Sequence, residues 1–437
     1  MTTIYALSSG HGKAGVAIIR ISGPLAGDVL RLLGGTMPPP RAATLRTLRD
    51  PGSHEVLDHG LVIWFPGPSS FTGEDIAELH IHGGRAVIEA IFRGLASIDG
   101  LRPAEPGEFA RRAFENGKLD LTEAEGLADL IDAETAAQRR QALRQSGGAL
   151  RALYDGWRER LIAALASIEA ELDFSDEGDV PDAVARGSRS AATALWYEIS
   201  AHLADGRGGE ILRDGLRVVI AGPPNAGKSS LMNALARRDV AIVSAEAGTT
   251  RDVIEVRLDL NGFPVVLMDT AGIRDAGGDI EREGVRRALE RAKEADLVLW
   301  LRDATGPDGA PPDIEGNARV IEAVNKIDLA PAANVGAALP LSVKTGEGLD
   351  RLITRLTEEV WQAADIGESP VITRTRHRLE LERCAAALCR FLNGDFAELE
   401  LRAEDLRDAA TALGRLTGRV DVEDILDRIF ADFCIGK

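Results

Sequence analysis

Cysteine is scarce. The chain has 437 residues and only three cysteines, Cys384, Cys389 and Cys434. That is too few for a disulfide framework or a four-cysteine zinc site. Aromatic residues make up 4%, so the cores must be built from Leu, Ile, Val and Ala. No apolar run approaches the roughly 20 residues of a membrane-spanning helix, and no membrane partner is expected. Met1-Thr-Thr-Ile-Tyr5 has neither the basic nor the apolar region of a signal peptide, so a reduced, cytoplasmic setting is expected. Positive charge is outweighed: 51 Lys and Arg stand against 69 Asp and Glu, a formal net charge of −18. A globally basic nucleic-acid binder is excluded, whereas a local basic patch is not. What remains, 45% hydrophobic and 27% charged residues, is ordinary for a globular chain. At about 150 residues per domain the length suggests roughly three domains.

Three textures follow one another. Up to about residue 117, short apolar runs alternate with Gly and Pro. Val16–Ile21 and Leu61–Phe65 read as strands, and Leu25–Leu33 and Arg85–Leu95 as helices. The texture then turns helical. Thr122-Glu-Ala-Glu125 reads as a capping box. Leu143, Leu150, Trp157, Leu161, Leu165, Ile168 and Leu172 form the stripe of a long bundle helix, with a break or kink at Gly147-Gly148. Asp173–Pro181 reads as an acidic loop. From Leu216 to about Gln362 strands and helices alternate, and after Arg374 the pattern is helical again. Val422, Ile425, Leu426, Ile429, Phe430 and Phe433 share a stripe behind Asp421 as N-cap. The economical reading is a multidomain α/β plus α-helical chain. It has an N-terminal α+β domain (1–117) and a helical domain in two parts (118–212 and 374–437). An α/β domain (213–373) is inserted between those parts.

Leu216–Ala221 is a β-branched run suited to a buried parallel strand. It leads into Gly222-Pro-Pro-Asn-Ala-Gly-Lys-Ser229 and then a helical pattern. This is GxxxxGKS in its strand–loop–helix context, in which glycines let backbone N–H groups face a phosphate. Lys228 would neutralise β- and γ-phosphate charge and Ser229 would ligate Mg²⁺. Asn261-Gly262 joins two strand runs as a two-residue hairpin, and the second run ends in Asp269-Thr-Ala-Gly272. Asn325-Lys-Ile-Asp328 follows another apolar run. A carboxylate accepts two parallel donors; guanine offers such a pair and adenine does not, so Asp328 argues for GTP. Ser342-Val-Lys344 follows the last strand. The expected nucleotide site is therefore Asn225, Ala226, Gly227, Lys228, Ser229 and Ser230, with Asp269, Thr270, Ala271 and Gly272. Asn325, Lys326, Ile327 and Asp328 and then Ser342, Val343 and Lys344 complete its base end. The segment Ser244, Ala245, Glu246, Ala247, Gly248, Thr249 and Thr250 would close over it, with Thr250 on Mg²⁺. Ile273 stands where a water-orienting Gln is found in Ras-type GTPases, and Ile cannot do that work. Asn225 offers a neutral oxygen near the phosphates, which suits a monovalent cation in place of an arginine finger. Glu281 is a candidate acid or base, an exposed helical glutamate being the other reading.

These residues resemble one family. The motifs match the MnmE (TrmE) tRNA-modification GTPases over essentially the whole chain. They include Arg20-Ile-Ser-Gly23, Ser70-Phe-Thr-Gly-Glu-Asp75, Glu78, His82-Gly-Gly84, Pro106-Gly-Glu-Phe109, Lys118-Leu-Asp-Leu121 and the terminal Cys434-Ile-Gly-Lys437. The resemblance implies an N-terminal domain that binds 5-formyltetrahydrofolate, or a related folate, and dimerises. The inserted domain would be a Ras-like P-loop GTPase stimulated by K⁺. The implied partner is MnmG, FAD- and NADH-dependent, in a heterotetramer or larger complex. Together they would place an aminomethyl or carboxymethylaminomethyl group on C5 of the wobble uridine in the tRNA anticodon loop. By the same resemblance Arg20, Glu78, Lys118 and Lys437 contact the folate. Asn225, Ser244, Glu246 and Thr249 hold K⁺, Glu281 activates water, and Cys434 is a thiol available to the carbon transfer. Two departures stand out: Ser244 replaces a more common Thr, and Gly10-His-Gly-Lys13 replaces a more usual Pro-Gly-Arg-Gly. Two rival functions remain open, an Era-type switch without folate chemistry and a folate-dependent transferase that needs no MnmG.

Overall fold

A computed structural model describes the chain except for residues 1, 11, 174–181, 205–206, 243–254, 270–294, 307–310, 312–318, 331–334, 365–369, 397, 421, 432, 434–435 and 437. The chain forms two compact units. One comprises Met1–Ala128, Tyr154–Arg158 and Leu413–Lys437, and the other Asp129–Leu153 and Glu159–Ala412.

The first unit is built on strands β1 (Thr3–Leu7), β2 (Ala14–Ser22), β3 (Thr44–Arg49), β4 (Val56–Phe65), β5 (Ile76–Gly83) and β6 (Leu101–Pro103), in the order β3-β4-β5-β2-β1-β6. Alternation of side chains sends Ala17, Ile19 and Ile21 of β2 and Ala77, Leu79 and Ile81 of β5 into a core. Helices α1 (Ala26–Gly34) and α2 (Arg85–Ala96) cover that core. The same alternation puts Arg20 and Glu78 on the other face, directly opposite each other. Helix α3 (Glu108–Glu115) carries Phe109 onto Ile4 and Ala6 on that face. The chain's last helix returns here: Val422, Leu426, Phe430 and Phe433 pack on Ala110, Leu121 and Ala124. Gly436 lies against β1, its carbonyl accepting from Ser8 Oγ at 2.8 Å. Gly107 and Gly436 have no room for a side chain; a Cβ would stand 2.4 Å from the Phe430 carbonyl and 2.2 Å from that of Leu7.

Helix α4 (Leu121–Asp132) follows α3. Its cap lies two residues earlier than the sequence suggests. Asp120 Oδ1 accepts from Glu123 N at 2.7 Å, and Glu123 Oε2 accepts from Asp120 N at 2.8 Å. Asp120 is a better acceptor than a hydroxyl at this position, and the Thr122 hydroxyl spends its proton on the same carboxylate. A second capping box, Thr135 with Gln138, starts α5 (Ala136–Ser146). The expected long stripe is interrupted at Gly147-Gly148, where α6 (Ala149–Asp173) begins. Leu150, Trp157, Leu161 and Ile168 are buried as expected, but Leu143 is 50% exposed. It belongs to a separate helix that turns a different face inward.

The second unit holds a sheet of β7 (Leu216–Ala221), β8 (Glu255–Leu260), β9 (Phe263–Asp269), β10 (Leu297–Asp303), β11 (Arg319–Asn325) and β12 (Leu339–Pro340), ordered β12-β11-β10-β7-β9-β8. Every pairing is parallel except that of β8 with β9. Asn261 and Gly262 both take positive φ, 55° and 89°, as the two-residue hairpin requires. Val218, Ile220, Leu267 and Leu299 face one core, and Val219, Val298 and Trp300 the other. Two chain crossings lead into and out of this sheet. The entering helix α8 (Gly208–Asp214) lies so close to the exit segment that a Cβ on Gly209 would meet the Ile372 carbonyl at 2.3 Å. Asp129 binds both crossings, accepting from Arg213 Nε at 3.1 Å and Arg374 Nη2 at 2.7 Å.

His202 ends helix α7 (Asp182–Leu203), near His377, which is fully buried. Burial, with the nearby positive charge of His377 and Arg378, pushes its imidazole down from 6.5 to about 4. The unfolded chain therefore takes up this proton first. The stability tied to neutral His202 is complete above pH 6.5 and is lost as pH falls toward 4. Urea unfolding should show a loss of about 2 kcal/mol from this group between pH 7 and pH 5, and His202→Leu should flatten that slope.

Candidate functional site

Strand β7 delivers the phosphate loop. Gly222 has φ +147°, and a Cβ there would fall 1.9 Å from the Leu301 carbonyl; only glycine allows the loop this close to β10. Asn225 (φ +65°) and Gly227 (φ +97°) complete the turn, and helix α9 (Lys228–Ala236) starts immediately. Lys228 Nζ donates to the carbonyls of Gly222 and Pro223, both at 2.9 Å. Burial lowers its pKa, against which the Asp269 carboxylate acts. An anion placed in the loop would return to Lys228 the charge partner that burial denies it. Ser229 Oγ donates to Asp269 Oδ2 at 2.9 Å, and Asp269 is 1% exposed. A hydroxyl and a strand-end carboxylate meeting at the foot of a phosphate loop suit Mg²⁺. Asn225 is exposed, and its side chain has no hydrogen-bond partner among the described residues. Its oxygen is available to a cation. Ser230 is exposed beside it and Ala226 is buried.

The base-side loops converge on the same place through one side chain. Asn325, at the end of β11, donates from Nδ2 to the Ala226 carbonyl at 2.8 Å. Its Oδ1 accepts from Lys326 N at 2.8 Å and Val343 N at 3.1 Å. Lys326 takes φ +66°, and Ile327 N approaches the Leu341 carbonyl at 3.4 Å. Buried Ser342 donates from Oγ to Asp328 Oδ1 at 2.7 Å, which fixes the carboxylate while leaving it acceptor capacity for a base. Lys344 is exposed. One contributor goes unseen in the sequence: Asp303, ending β10, holds Lys326 Nζ at 2.5 Å. Like Asp269, it is an Asp closing an apolar strand, and that is the signal by which it is found.

In the first unit, Arg20 and Glu78 pair with each other, Nη2 to Oε1 at 2.9 Å. His80 Nε2 lies 3.1 Å from the other Glu78 oxygen. The rings of Phe71 and Phe109 lie 5.6 and 6.0 Å from the Arg20 guanidinium. A carboxylate, an imidazole and a guanidinium beside two phenyl rings suit a flat heteroaromatic ligand with an anionic tail. Lys118 is exposed and its stem runs against Gly73, in the loop before β5. Beneath that loop lies a network the sequence did not announce. Glu74 accepts from Ser22 Oγ at 2.7 Å and from Arg112 at 3.0 Å, and Arg112 also reaches Glu108 at 3.0 Å. Ser244, Ala245, Glu246, Ala247, Gly248, Thr249, Thr250, Thr270, Ala271, Gly272, Glu281, Cys434 and Lys437 lie outside the described residues, as do Asp421 and the loop 174–181.

Two family models match: "MnmE helical domain" over residues 121–434 and "GTP-binding protein TrmE N-terminus" over residues 3–118. A tRNA modification GTPase MnmE of Parvibaculum lavamentivorans is 58% identical over 445 residues, covering 100% of both chains. The chain belongs to the MnmE (TrmE) family. A second MnmE, from Methylobacterium sp., is 56% identical over 439 residues, covering 100% of this chain and 99% of that one. Among solved structures, the G domain of the T. maritima FeoB iron transporter is 27% identical. It covers 33% of this chain and 98% of its own, with a TM-score of 0.26.

In this MnmE-family site, Asn325 is the tie between loops. Asn325→Ala should weaken GDP binding at least tenfold, about 1.4 kcal/mol, in a fluorescent-nucleotide titration, with the circular dichroism spectrum unchanged. Unweakened binding would remove Asn325 from the site.

Proposed function

We propose that this MnmE-family GTPase hydrolyses GTP with K⁺ stimulation as a homodimer. With an FAD-dependent MnmG partner it would use a folate one-carbon unit to install the aminomethyl or carboxymethylaminomethyl group on the tRNA wobble uridine. The observation that carries the reading is the joining of the phosphate loop to the Asn325–Asp328 and Ser342–Lys344 loops through Asn325. A second support is the Arg20–Glu78–His80 cluster of the N-terminal unit.

In this reading the loop amides and Lys228 hold the phosphates, and Asp328 takes the paired donors of guanine. Ser229 and Thr250 would hold Mg²⁺, with Asp269 fixing the Ser229 hydroxyl. Asn225, Ser244, Glu246 and Thr249 would hold K⁺ when two GTPase domains meet. The two cations supply the positive charge that an arginine finger supplies elsewhere. Glu281 holds the attacking water. In the N-terminal unit Glu78 accepts from the pterin amino group, while Arg20, Lys118 and Lys437 pair with anionic groups of the folate. Cys434 would be the thiol available to the carbon transfer. Hydrolysis would shift the helical domain and so reset the modification site. An anticodon loop offers its base unpaired, so no duplex has to be opened. With a net charge of −18, most tRNA phosphate contact falls to the partner. Every step takes place in the cytoplasm.

GTP hydrolysis measured in K⁺ and in Na⁺ tests the cation. A large potassium preference is expected, and Asn225→Ala should abolish it; equal rates in both salts would reject the assignment. Thermal shift with 5-formyltetrahydrofolate tests the other unit. A rise in Tm is expected that Arg20→Ala and Glu78→Ala remove, and no rise in the unsubstituted protein would favour a switch without folate chemistry.

A further inference from the structure

In the N-terminal unit a run of three prolines delivers an arginine to the end of β4. Pro38, Pro39 and Pro40 precede Arg41, and each proline fixes its own φ. Arg41 itself turns left-handed, with φ +59°, a region that a residue with a side chain enters only at a cost. The turn is pinned to β4. Arg41 N donates to the Trp64 carbonyl at 2.7 Å, and Pro40 forms a β-bridge with the same residue. The side chain is placed as well. Its guanidinium lies 5.7 Å from the centroid of the Phe65 ring, and Nη2 donates to the Ser69 carbonyl.

The sheet register decides which face this is. Ile63 of β4 stands opposite Glu78 of β5, and Glu78 stands opposite Arg20 of β2. Alternation puts Phe65 on the same face as Ile63, while Val62 and Trp64 turn into the helix-covered core. Phe65 and Glu78 are therefore diagonal neighbours, about 7–8 Å apart at Cα and within reach of a long side chain. The loop that Arg41 holds at Ser69 also carries Phe71, whose ring lies beside Arg20. Across one face stand, in order, the Glu78 carboxylate, the Phe65 ring and the Arg41 guanidinium. Position, rather than want of a partner, distinguishes Arg41. Of the other arginines around this cluster, Arg20 is held by Glu78, Arg102 by Glu108, and Arg112 by Glu74 and Glu108. The carbonyl and the ring that Arg41 touches are uncharged, and a guanidinium has five N–H donors, so donors remain for a ligand.

We propose that Arg41 binds the glutamyl carboxylates of the folate, at the far end from the bicyclic ring that Glu78 receives. The inference rests on the folate reading above and adds to it a subsite for the tail. A folate is an extended ligand: a heteroaromatic bicycle, then a benzoyl ring, then a glutamate. The acceptor, ring and cation of this face follow the same order. A guanidinium can grip a carboxylate through two parallel N–H donors. The prolines, the pinned turn and the Phe65 ring hold it in place before the ligand arrives, so little ordering is left to be done on binding. A left-handed residue kept by its surroundings is the kind of local strain that ligand clamps carry.

Isothermal titration of the full-length protein with two ligands separates the tail from the rest. One is 5-formyltetrahydrofolate, and the other is its bis-amide, in which both glutamyl carboxylates are neutral amides of the same size. The unsubstituted protein should bind the folate at least about tenfold more tightly than the bis-amide, as a charge-assisted contact would give. Arg41→Gln should lower that preference at least about tenfold by weakening the folate alone, with bis-amide affinity and GTP hydrolysis unchanged. Arg41→Lys, which keeps the charge, should retain part of the preference. Equal weakening of both ligands by Arg41→Gln would overturn the proposal, because it would reduce Arg41 to a support for the Ser69 loop. So would a preference that Arg41→Gln leaves intact, or one that Arg41→Lys loses as completely as Arg41→Gln. Equal affinities in the unsubstituted protein would overturn the proposal and leave the folate reading standing. Binding of neither ligand would overturn the folate reading itself, and this proposal with it.

Discussion

The nucleotide site depends on one buried amide. Asn325 is 3% exposed, and its two ends do opposite work. The nitrogen donates into the phosphate loop at Ala226, while the oxygen accepts from backbone N–H groups of its own loop and of the loop after β12. A carboxylate could not donate, and a longer amide would not fit. A Cβ on Gly227 would already lie 2.4 Å from Asn325 Nδ2. Three loops from distant parts of the chain thus behave as one piece. Ordering them separately on binding would cost conformational entropy for each. Here most of that ordering is already present, and the cost is spread over folding.

This constraint explains which parts of the fold were legible in the sequence. Elements governed by local chemistry could be read directly. Leu216–Ala221 is a strand with the expected bounds, Asn261-Gly262 makes the expected hairpin, and the glycines of the phosphate loop take the conformations that only glycine tolerates well. Elements governed by distant partners could not. Periodicity tells which residues share a face, not which face meets a neighbour. Leu143 was therefore placed on a buried stripe, although α5 buries its glutamines instead, because Arg213 and Thr373 offer them partners from far along the chain. The cap of α4 lies two residues before the expected one because Asp120 accepts from Glu123 N, while the Thr122 hydroxyl donates to that carboxylate instead of capping. Arg20 and Glu78 could be picked from their motifs one by one. That they face each other follows only from the register of β2 against β5.

Among the described residues, the contacts that bind the inserted sheet to its surroundings include three that lie at the ends of stiff elements. Asp129 holds both crossings through Arg213 and Arg374. The tight approach of Gly209 to Ile372 prevents the crossings from sliding apart independently. The third point is the turn of the β8–β9 hairpin, where Ala137 N, in the first turn of α5, donates to the Gly262 carbonyl at 3.0 Å. Glu134 adds an ion pair with Arg257 of β8. Strand β9 begins at this turn and ends at Asp269, the carboxylate that holds Ser229. At about 3.3 Å per residue the strand is a rigid rod linking the Asp269 carboxylate to α5. A rod fixed at its α5 end cannot move its Asp269 end freely. Any shift of Asp269 on hydrolysis must either strain the hairpin turn or carry α5 with it.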